Sequence, residues 1–273
     1  MKPVKRVALL HSMCSYGKAS ITNMLPILAT MGVEVCPIPT MILSTHTGGY
    51  QMPAIQKIDA QHIRACAKHY LEQQISFDCI FVGYLGNIEL VDAILDFINT
   101  FPSTPVILDP IMGDHGDLYS NLNISYANAF RRLLSKTTLL LPNITEAALL
   151  TNTPYKESYT SIEIEEICKQ LYEYGSTSTI ITSVEMHSQK GHVVLYQNNH
   201  LECMKLSFAP CEFHGTGDVF DAVLLGAYMN GMSLEASVKK AHNFVYHCVL
   251  ESSKHSYDKR EGLLLEPNLS MLV

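Results

Sequence analysis

Short apolar runs alternate with amphipathic stretches along most of the chain. The pattern starts with an apolar run at 6–11, a helical pattern over 20–31 and a second apolar run at 33–38. Most runs are rich in Val, Ile and Leu without regular polar alternation, which is typical of strands that are buried on both faces. The pattern predicts an α/β fold, a three-layer sandwich with a mostly parallel central sheet covered by helices.

The alternation continues to residue 183 and then changes. Runs at 192–197 and 201–206 flank Asn198-Asn199, which predicts a hairpin at a sheet edge. No stretch rich in Pro, Gly or Ser divides the chain, so we expect a single domain over residues 1–273. The other predicted strands are 79–84, 105–109, 138–143 and 178–183, and the other predicted helices are 60–73, 88–100, 159–174, 218–229 and 234–251.

Composition narrows the class of protein. Acidic residues outnumber basic ones, 26 to 19, with no Lys/Arg cluster, which argues against binding to nucleic acid or to an anionic membrane surface. The apolar runs have the length of strands, so no membrane-spanning helix is expected. Eight cysteines without a C-x-x-C pair, and no signal-peptide core, predict a reduced, cytoplasmic protein.

The strongest chemical motif is H-G-T-G-D at 214–218, which precedes an apolar helical stretch. Gly215 and Gly217 lack Cβ atoms, so the backbone N–H groups of this turn are free to converge on an anion at the positive end of the helix. Asp218 would lie beside that anion, placed to take a proton from an attacking hydroxyl. The alternative is an acid that only caps the helix after a glycine turn.

A second motif is L-L-P-N-I-T-E at 140–146. Asn143 follows a predicted buried strand, and Glu146 lies three residues later, near the start of a short helix. An amide and a carboxylate at this spacing are suited to hold Mg²⁺ through oxygen ligands or waters. The same spacing is that of a capping box, and by spacing alone the cap is favoured.

Polar residues also follow the other strands, at the edge where an open parallel sheet binds ligands. Asp109 ends an apolar strand, where a charge is costly unless it is paired or bound to metal, although an Asx turn with Pro110 would also explain it. A pocket for a small polar heteroaromatic ligand is predicted from hydroxyl and ring groups, although His46 alone is more often a structural hydrogen-bonding residue. The pocket residues are Ser12, Thr45, His46, Thr47 and Tyr84.

Taken together and in this order, the motifs resemble those of the ribokinase-like superfamily and, within it, the pyridoxal (vitamin B6) kinases. G-T-G-D at 215–218 matches the anion hole and catalytic base of the superfamily, and P-N-I-T-E at 142–146 matches its metal-organising motif. The narrower resemblance rests on S-T-H-T-G-G-Y at 44–50, G-Y-L-G at 83–86 and D-P-I-M-G-D-H-G-D-L-Y at 109–119.

The resemblance implies an ATP-dependent kinase that phosphorylates the 5′-hydroxyl of pyridoxal, pyridoxine or pyridoxamine. Asp218 would deprotonate that hydroxyl, with Gly215, Thr216 and Gly217 as the anion hole. Asp109 and Glu146 would organise Mg²⁺ on the ATP phosphates. Asn143, Thr182 and Ser183 would lie near the nucleotide, while Ser12, Thr45, His46, Thr47 and Tyr84 would contact the vitamin. The resemblance also implies a homodimer, and some relatives require a monovalent cation.

Two segments depart from the pattern of many relatives. Ala19 and Ser20 stand where those relatives have a V-G pair, and Thr45 precedes His46 where they have Asn.

Two alternative functions remain. One is a hydroxymethylpyrimidine kinase of the same superfamily, whose members often carry cysteine at the position of Asp218. The other is a binding protein without catalytic activity, which the presence of Asp218, Asn143 and Glu146 argues against.

Overall fold

A computed structural model describes residues 3–209 and 211–273. In this part of the chain eight α-helices accompany the strands. The helices are α1 (Ile21–Thr30), α2 (Ala60–Glu72), α3 (Leu90–Thr100), α4 (Ile124–Leu134), α5 (Ile144–Thr151), α6 (Ser161–Glu173), α7 (Thr216–Met229) and α8 (Leu234–Ser253). The strands are β1 (Arg6–Tyr16), β2 (Glu34–Thr45), β3 (Ile55–Lys57), β4 (Cys79–Val82), β5 (Val106–Leu108), β6 (Gly113–Asp114), β7 (Asp117–Leu118), β8 (Leu139–Leu140), β9 (Ser178–Met186), β10 (Gln189–Gln197) and β11 (His200–Lys205).

Nine strands form the main sheet, in the order β11-β10-β9-β8-β5-β4-β1-β2-β3. The pairs β1–β2, β4–β5, β5–β8 and β8–β9 are parallel, and the helices flank the sheet. The predicted α/β fold with a mostly parallel sheet is confirmed.

The predicted hairpin lies at one edge of the sheet, where β10 and β11 pair antiparallel. Gln197 pairs with His200, so the loop consists of Asn198 and Asn199 alone. Both residues have positive φ angles, 53° and 59°, as a type I′ turn requires. Asparagine tolerates this left-handed conformation better than most residues, which explains why an Asn pair can form the turn.

The chain divides into two compact units. The first comprises residues 1–58, 76–79 and 207–273. In it β1 and β2 pair along most of their length, and α7 packs against both α1 and α8. α7 is buried from Val219 to Ala227, so its first turn is anchored by a rigid apolar helix.

The second unit comprises residues 59–75 and 80–206. Its helices α2 to α6 pack in sequence order, each against the next, and β5, β8 and β9 bring their carboxyl ends to one edge. The single-domain expectation stays a prediction. In the described residues no helix is both long enough and apolar enough to cross a bilayer.

Several elements differ from the prediction in length or were not predicted. β1 and β2 continue as far as the paired residues Tyr16 and Thr45. In the outer half of β2, buried and exposed residues alternate, unlike the continuous apolar runs on which the strand predictions were based. β3 and α4 were not predicted. β8 is only two residues long, because the chain turns at Pro142 into α5.

Candidate active site

The first turn of α7 has the geometry of an anion site. Gly215, the N-cap, has φ 77° and ψ 9°, a left-handed conformation that favours glycine. A Cβ here would come within 2.5 Å of Asn23 Nδ2 and closer still to the carbonyl oxygen of Lys18, so glycine is required on two grounds. The N–H groups of Thr216 and Gly217 begin the helix and have no acceptor within it, which leaves them at its positive end.

Asp218 is the third residue of α7, and its carboxylate bonds outside the helix. Its Oδ2 accepts a hydrogen bond of 2.7 Å from the backbone N–H of Ser20, and its Oδ1 lies 3.1 Å from Nε2 of His11. The side chain is 11% exposed. The carboxylate is therefore held by two groups and still accessible, which does not match the cap interpretation.

Four of the predicted vitamin-binding residues lie in the same unit as Asp218. Ser12 lies in β1 and is buried, and its Oγ is 2.7 Å from Oγ of Ser20. Thr45 ends β2 opposite Tyr16, and Thr47 is exposed in the loop that follows.

His46 is buried and its ring has structural partners. Its Nδ1 accepts a hydrogen bond of 3.1 Å from the N–H of Gly48, and its Nε2 donates to the carbonyl oxygen of Arg260 at 2.7 Å. Its ring centroid lies 4.7 Å from that of His214, whose pKa is lowered by burial and by His46. The structural interpretation of His46 fits these contacts. Sequence reasoning missed Arg260, for which the chain offers no motif.

In the second unit, Asn143 and Glu146 form a capping box at the start of α5. Asn143 Oδ1 accepts from the N–H of Glu146 at 2.9 Å, and Glu146 Oε2 accepts from the N–H of Asn143 at 2.8 Å. Asn143 Nδ2 donates to the carbonyl oxygen of Gly113 at 2.8 Å. The cap favoured from the spacing is present, and Asn143 also fixes the hairpin of β6 and β7 to this helix.

Glu146 does more than cap the helix. Its carboxylate accepts a second backbone hydrogen bond, at Oε1 from the N–H of Met112 at 3.1 Å, and the residue is only 3% exposed. Burial raises its pKa to about 7, the negative charge of Asp114 adds to the rise, and the backbone donors oppose it. A cation beside this carboxylate would offset the cost of burying its charge, so Glu146 fits a role as a metal ligand.

The remaining predicted residues also lie in the second unit. Asp109 follows β5 and is buried. Tyr84 is buried behind β4, and its hydroxyl accepts from Asn121 Nδ2 at 2.6 Å. Thr182 pairs with Asn143 through a bridge in which its N–H donates to the carbonyl oxygen of Pro142 at 3.0 Å. The structure therefore places both Glu146 and Thr182 beside Asn143.

Ser183 lies at an irregularity of β9. Val194 of β10 pairs with Ile181, while His192 pairs with Val184, so two residues of β9 face one of β10. Ser183 itself has φ 57° and is exposed. Bulges of this kind redirect side chains at the rims of sheets.

Two residues that contact Asp218, His11 and Ser20, were not among the predicted site residues. Ser20 stands where many relatives have glycine, and that difference was the available signal. In residues 3–209 and 211–273 no three His, Cys, Asp or Glu side chains cluster as a metal site.

Comparison with known proteins shows the family of this chain. The chain matches the phosphomethylpyrimidine kinase family over residues 16–262. It is 28% identical over 169 residues to the hydroxymethylpyrimidine/phosphomethylpyrimidine kinase of Haemophilus influenzae, and this match covers 60% of this chain and 62% of the relative. It is 28% identical over 213 residues to the pyridoxal kinase of Arabidopsis thaliana, and this match covers 73% of this chain and 66% of the relative. The chain thus spans less than two thirds of the length of either protein.

A solved structure from Bacteroides thetaiotaomicron, provisionally designated a phosphomethylpyrimidine kinase, is 33% identical and superimposes with a TM-score of 0.93 over 99% of this chain and 94% of that one. A second crystal form of that protein, with pyridoxal, superimposes with a TM-score of 0.91 over 98% of this chain and 96% of that one.

The fold and the glycine turn with its acid define a ribokinase-like protein. The chain belongs to the phosphomethylpyrimidine kinase family, and pyridoxal kinases are among its relatives, so the resemblance stated from the motifs is confirmed.

Proposed function

We propose that this chain is an ATP-dependent kinase that phosphorylates the 5′-hydroxyl of a vitamin B6 compound. The observation that carries the proposal is the carboxylate of Asp218, which lies in the first turn of α7, is partly accessible and is not used to cap the helix. An acid that only stabilised the helix would bond to the backbone of its own first turn.

In the proposed reaction, Asp218 accepts the proton of the hydroxyl as its oxygen attacks the γ-phosphorus of ATP. The new P–O bond forms as the bond to the β-phosphate oxygen breaks, and ADP leaves. The N–H groups of Gly215, Thr216 and Gly217 stabilise the charge on the transferred group. Asp218 supplies no atom to the product.

Asp109 and Glu146 are the proposed ligands of a magnesium ion that enters with ATP. When bound, magnesium neutralises charge on the phosphates. Asn143 holds Glu146 in place through the capping box, and Thr182 lies beside Asn143. We propose that these two residues, with Ser183, lie near the nucleotide. A monovalent-cation requirement, a homodimeric assembly and a cytoplasmic location stay predictions.

The proposed vitamin contacts are Ser12, Thr45, His46, Thr47 and Tyr84. The segment S-T-H-T-G-G-Y favours a B6 compound, and so does the Bacteroides relative with pyridoxal. Hydroxymethylpyrimidine is the second candidate, because the matched family and the Haemophilus relative carry that activity in their names.

The test offers pyridoxal, pyridoxine, pyridoxamine and hydroxymethylpyrimidine with ATP and Mg²⁺, and measures phosphorylated product. We expect at least one B6 compound to give a higher kcat/KM than hydroxymethylpyrimidine, since polar groups of the pocket would be left unpaired by the wrong ligand. A preference of about tenfold for hydroxymethylpyrimidine, equivalent to about 1.4 kcal/mol, would replace the proposal with the second candidate. Binding without any product would indicate a protein that lacks catalytic activity.

A further inference from the structure

His11 is a buried histidine with a defined proton arrangement. It lies in β1, is 1% exposed, and its Nδ1 accepts a hydrogen bond of 2.8 Å from the backbone N–H of Ser12. A ring nitrogen that accepts from an N–H carries no proton, so the proton of the neutral ring is on Nε2. Nε2 lies 3.1 Å from Oδ1 of Asp218, and its N–H therefore donates to that carboxylate.

The other oxygen of Asp218 is held by an unusual backbone. Ser20, whose N–H donates to Oδ2, has φ 60° and ψ −137°, a region that residues with a Cβ rarely occupy. Ser20 precedes α1 but its side chain does not cap that helix. Its hydroxyl instead bonds to Ser12 Oγ at 2.7 Å. Strained backbone of this kind persists where the surroundings fix it, which is common at functional sites.

We propose that His11 is a positioning residue for Asp218, and that it acts together with the N–H of Ser20. One donor on each oxygen fixes the plane of the carboxylate and leaves each oxygen a lone pair for the substrate proton. This inference rests on the proposed kinase function.

The second titratable side chain close to Asp218 is that of Cys14. Burial, and then the charge of Asp218, raise the pKa of its thiol to about 12. Cys14 therefore stays protonated over the pH range of an ordinary assay and adds no charge beside the carboxylate of Asp218.

The test compares His11→Leu with His11→Gln. Leucine fills similar space without a donor, whereas glutamine carries an N–H at a position close to that of Nε2. We expect His11→Leu to lower kcat by about tenfold to a hundredfold, the range of a lost hydrogen bond to a charged group. His11→Gln should recover most of the rate, and nucleotide KM should be unchanged in both.

The outcome that overturns the proposal is a His11→Leu enzyme with parental kcat. A rate lost equally in both variants, together with a lower melting temperature, would also overturn it in favour of a purely structural histidine.

A measurement without turnover separates this inference from the proposed function. Nitrogen NMR of histidine-labelled protein, assigned with His11→Gln, should show a proton on Nε2 and none on Nδ1, and the Nε2–H signal should move in Asp218→Asn. A chain that phosphorylates none of the tested alcohols would defeat the proposed function, and the NMR result would still decide whether His11 holds Asp218. A proton on Nδ1 instead of Nε2, or a signal that ignores Asp218→Asn, would contradict the inference.

Discussion

The helices α5 and α7 each carry an acid at their third position, and the two acids have different surroundings. In α5, Glu146 faces back to Asn143, and the two residues satisfy each other's backbone N–H groups. In α7, Asp218 faces away from the helix toward His11 and Ser20. The N-cap residue accounts for the difference. Asn143 has a side-chain acceptor, whereas Gly215 has none and adopts a left-handed conformation.

The comparison shows how a helix start can be used for two purposes. When the N-cap side chain satisfies the first N–H groups, the acid at the third position completes a stable cap. When the N-cap is glycine, those N–H groups remain available for an anion, and the acid at the third position is available for chemistry. Substitutions at either helix start should therefore separate the two uses.

The largest effect is expected from Asp218→Asn, which removes the proton acceptor with little change of shape. General-base catalysis typically supplies about 10²- to 10⁴-fold, so kcat should fall by that range while the nucleotide Kd changes little. The amide accepts only one of the two bonds from His11 and Ser20, so stability should fall by about 1–3 kcal/mol. Steady-state rates and nucleotide titration on one preparation check this. A variant with near-parental kcat would return Asp218 to a structural role.

The second prediction concerns the two glycines that flank Thr216. Gly215→Ala places a Cβ against Lys18 and Asn23 at a positive φ, and overpacking with backbone strain should cost about 2–5 kcal/mol. Gly217→Ala is the matched control, because its Cβ would meet no described atom within 4 Å outside its own helix. Alanine there should leave stability unchanged or raise it by about 0.5 kcal/mol. Urea unfolding compares the two, and equal losses would refute the role given to Gly215.

Much of the difference between the starts of α5 and α7 could be predicted from the sequence. The apolar runs predicted the parallel strands, and the order of motifs predicted which acids follow them. Spacing alone favoured the cap at Asn143 and Glu146, because a capping box is a local pattern with local partners.

The partners of Asp218 could not be derived in the same way. His11 and Ser20 lie 207 and 198 residues away along the chain, and only the packing of α7 brings them to the carboxylate. The bond from Met112 to the carboxylate of Glu146 also joins residues distant in sequence, 34 positions apart. Local patterns identify candidate acids, whereas the contacts that distinguish a base from a cap depend on tertiary structure.

The third prediction tests the capping box of α5 with Glu146→Gln. Since burial raises the pKa of Glu146 from its ordinary value of 4.5 to about 7, the folded protein binds more protons than the unfolded chain between these values. The stabilisation from this group is therefore complete below about pH 4.5 and is lost as pH rises through about 7. The variant should lack that pH dependence when urea midpoints are compared from pH 5 to 8.

The same variant separates the cap from the metal role. Glutamine keeps the bond from Asn143 but has no second acceptor for Met112, a loss of about 1–3 kcal/mol. If Glu146 is a ligand, the Mg²⁺ concentration for half-maximal rate should also rise, because the amide lacks the charge of the carboxylate. An unchanged Mg²⁺ requirement would leave Glu146 as a cap alone.

The smallest effect is expected at Ser20, where the backbone that supports Asp218 is tested without touching the carboxylate. Ser20→Gly and Ser20→Ala both remove the hydroxyl that bonds to Ser12, so their difference reports on the backbone alone. At an ordinary N-cap glycine is already better than alanine, by a margin that stays within about 1 kcal/mol. At φ 60° and ψ −137° the glycine variant should be more stable by about 1–2 kcal/mol, since alanine retains the backbone strain. If the strained N–H serves to hold Asp218, Ser20→Gly should also keep a higher kcat than Ser20→Ala. Urea unfolding and steady-state rates on the two variants check both points, and equal stability would remove the argument that this backbone is strained.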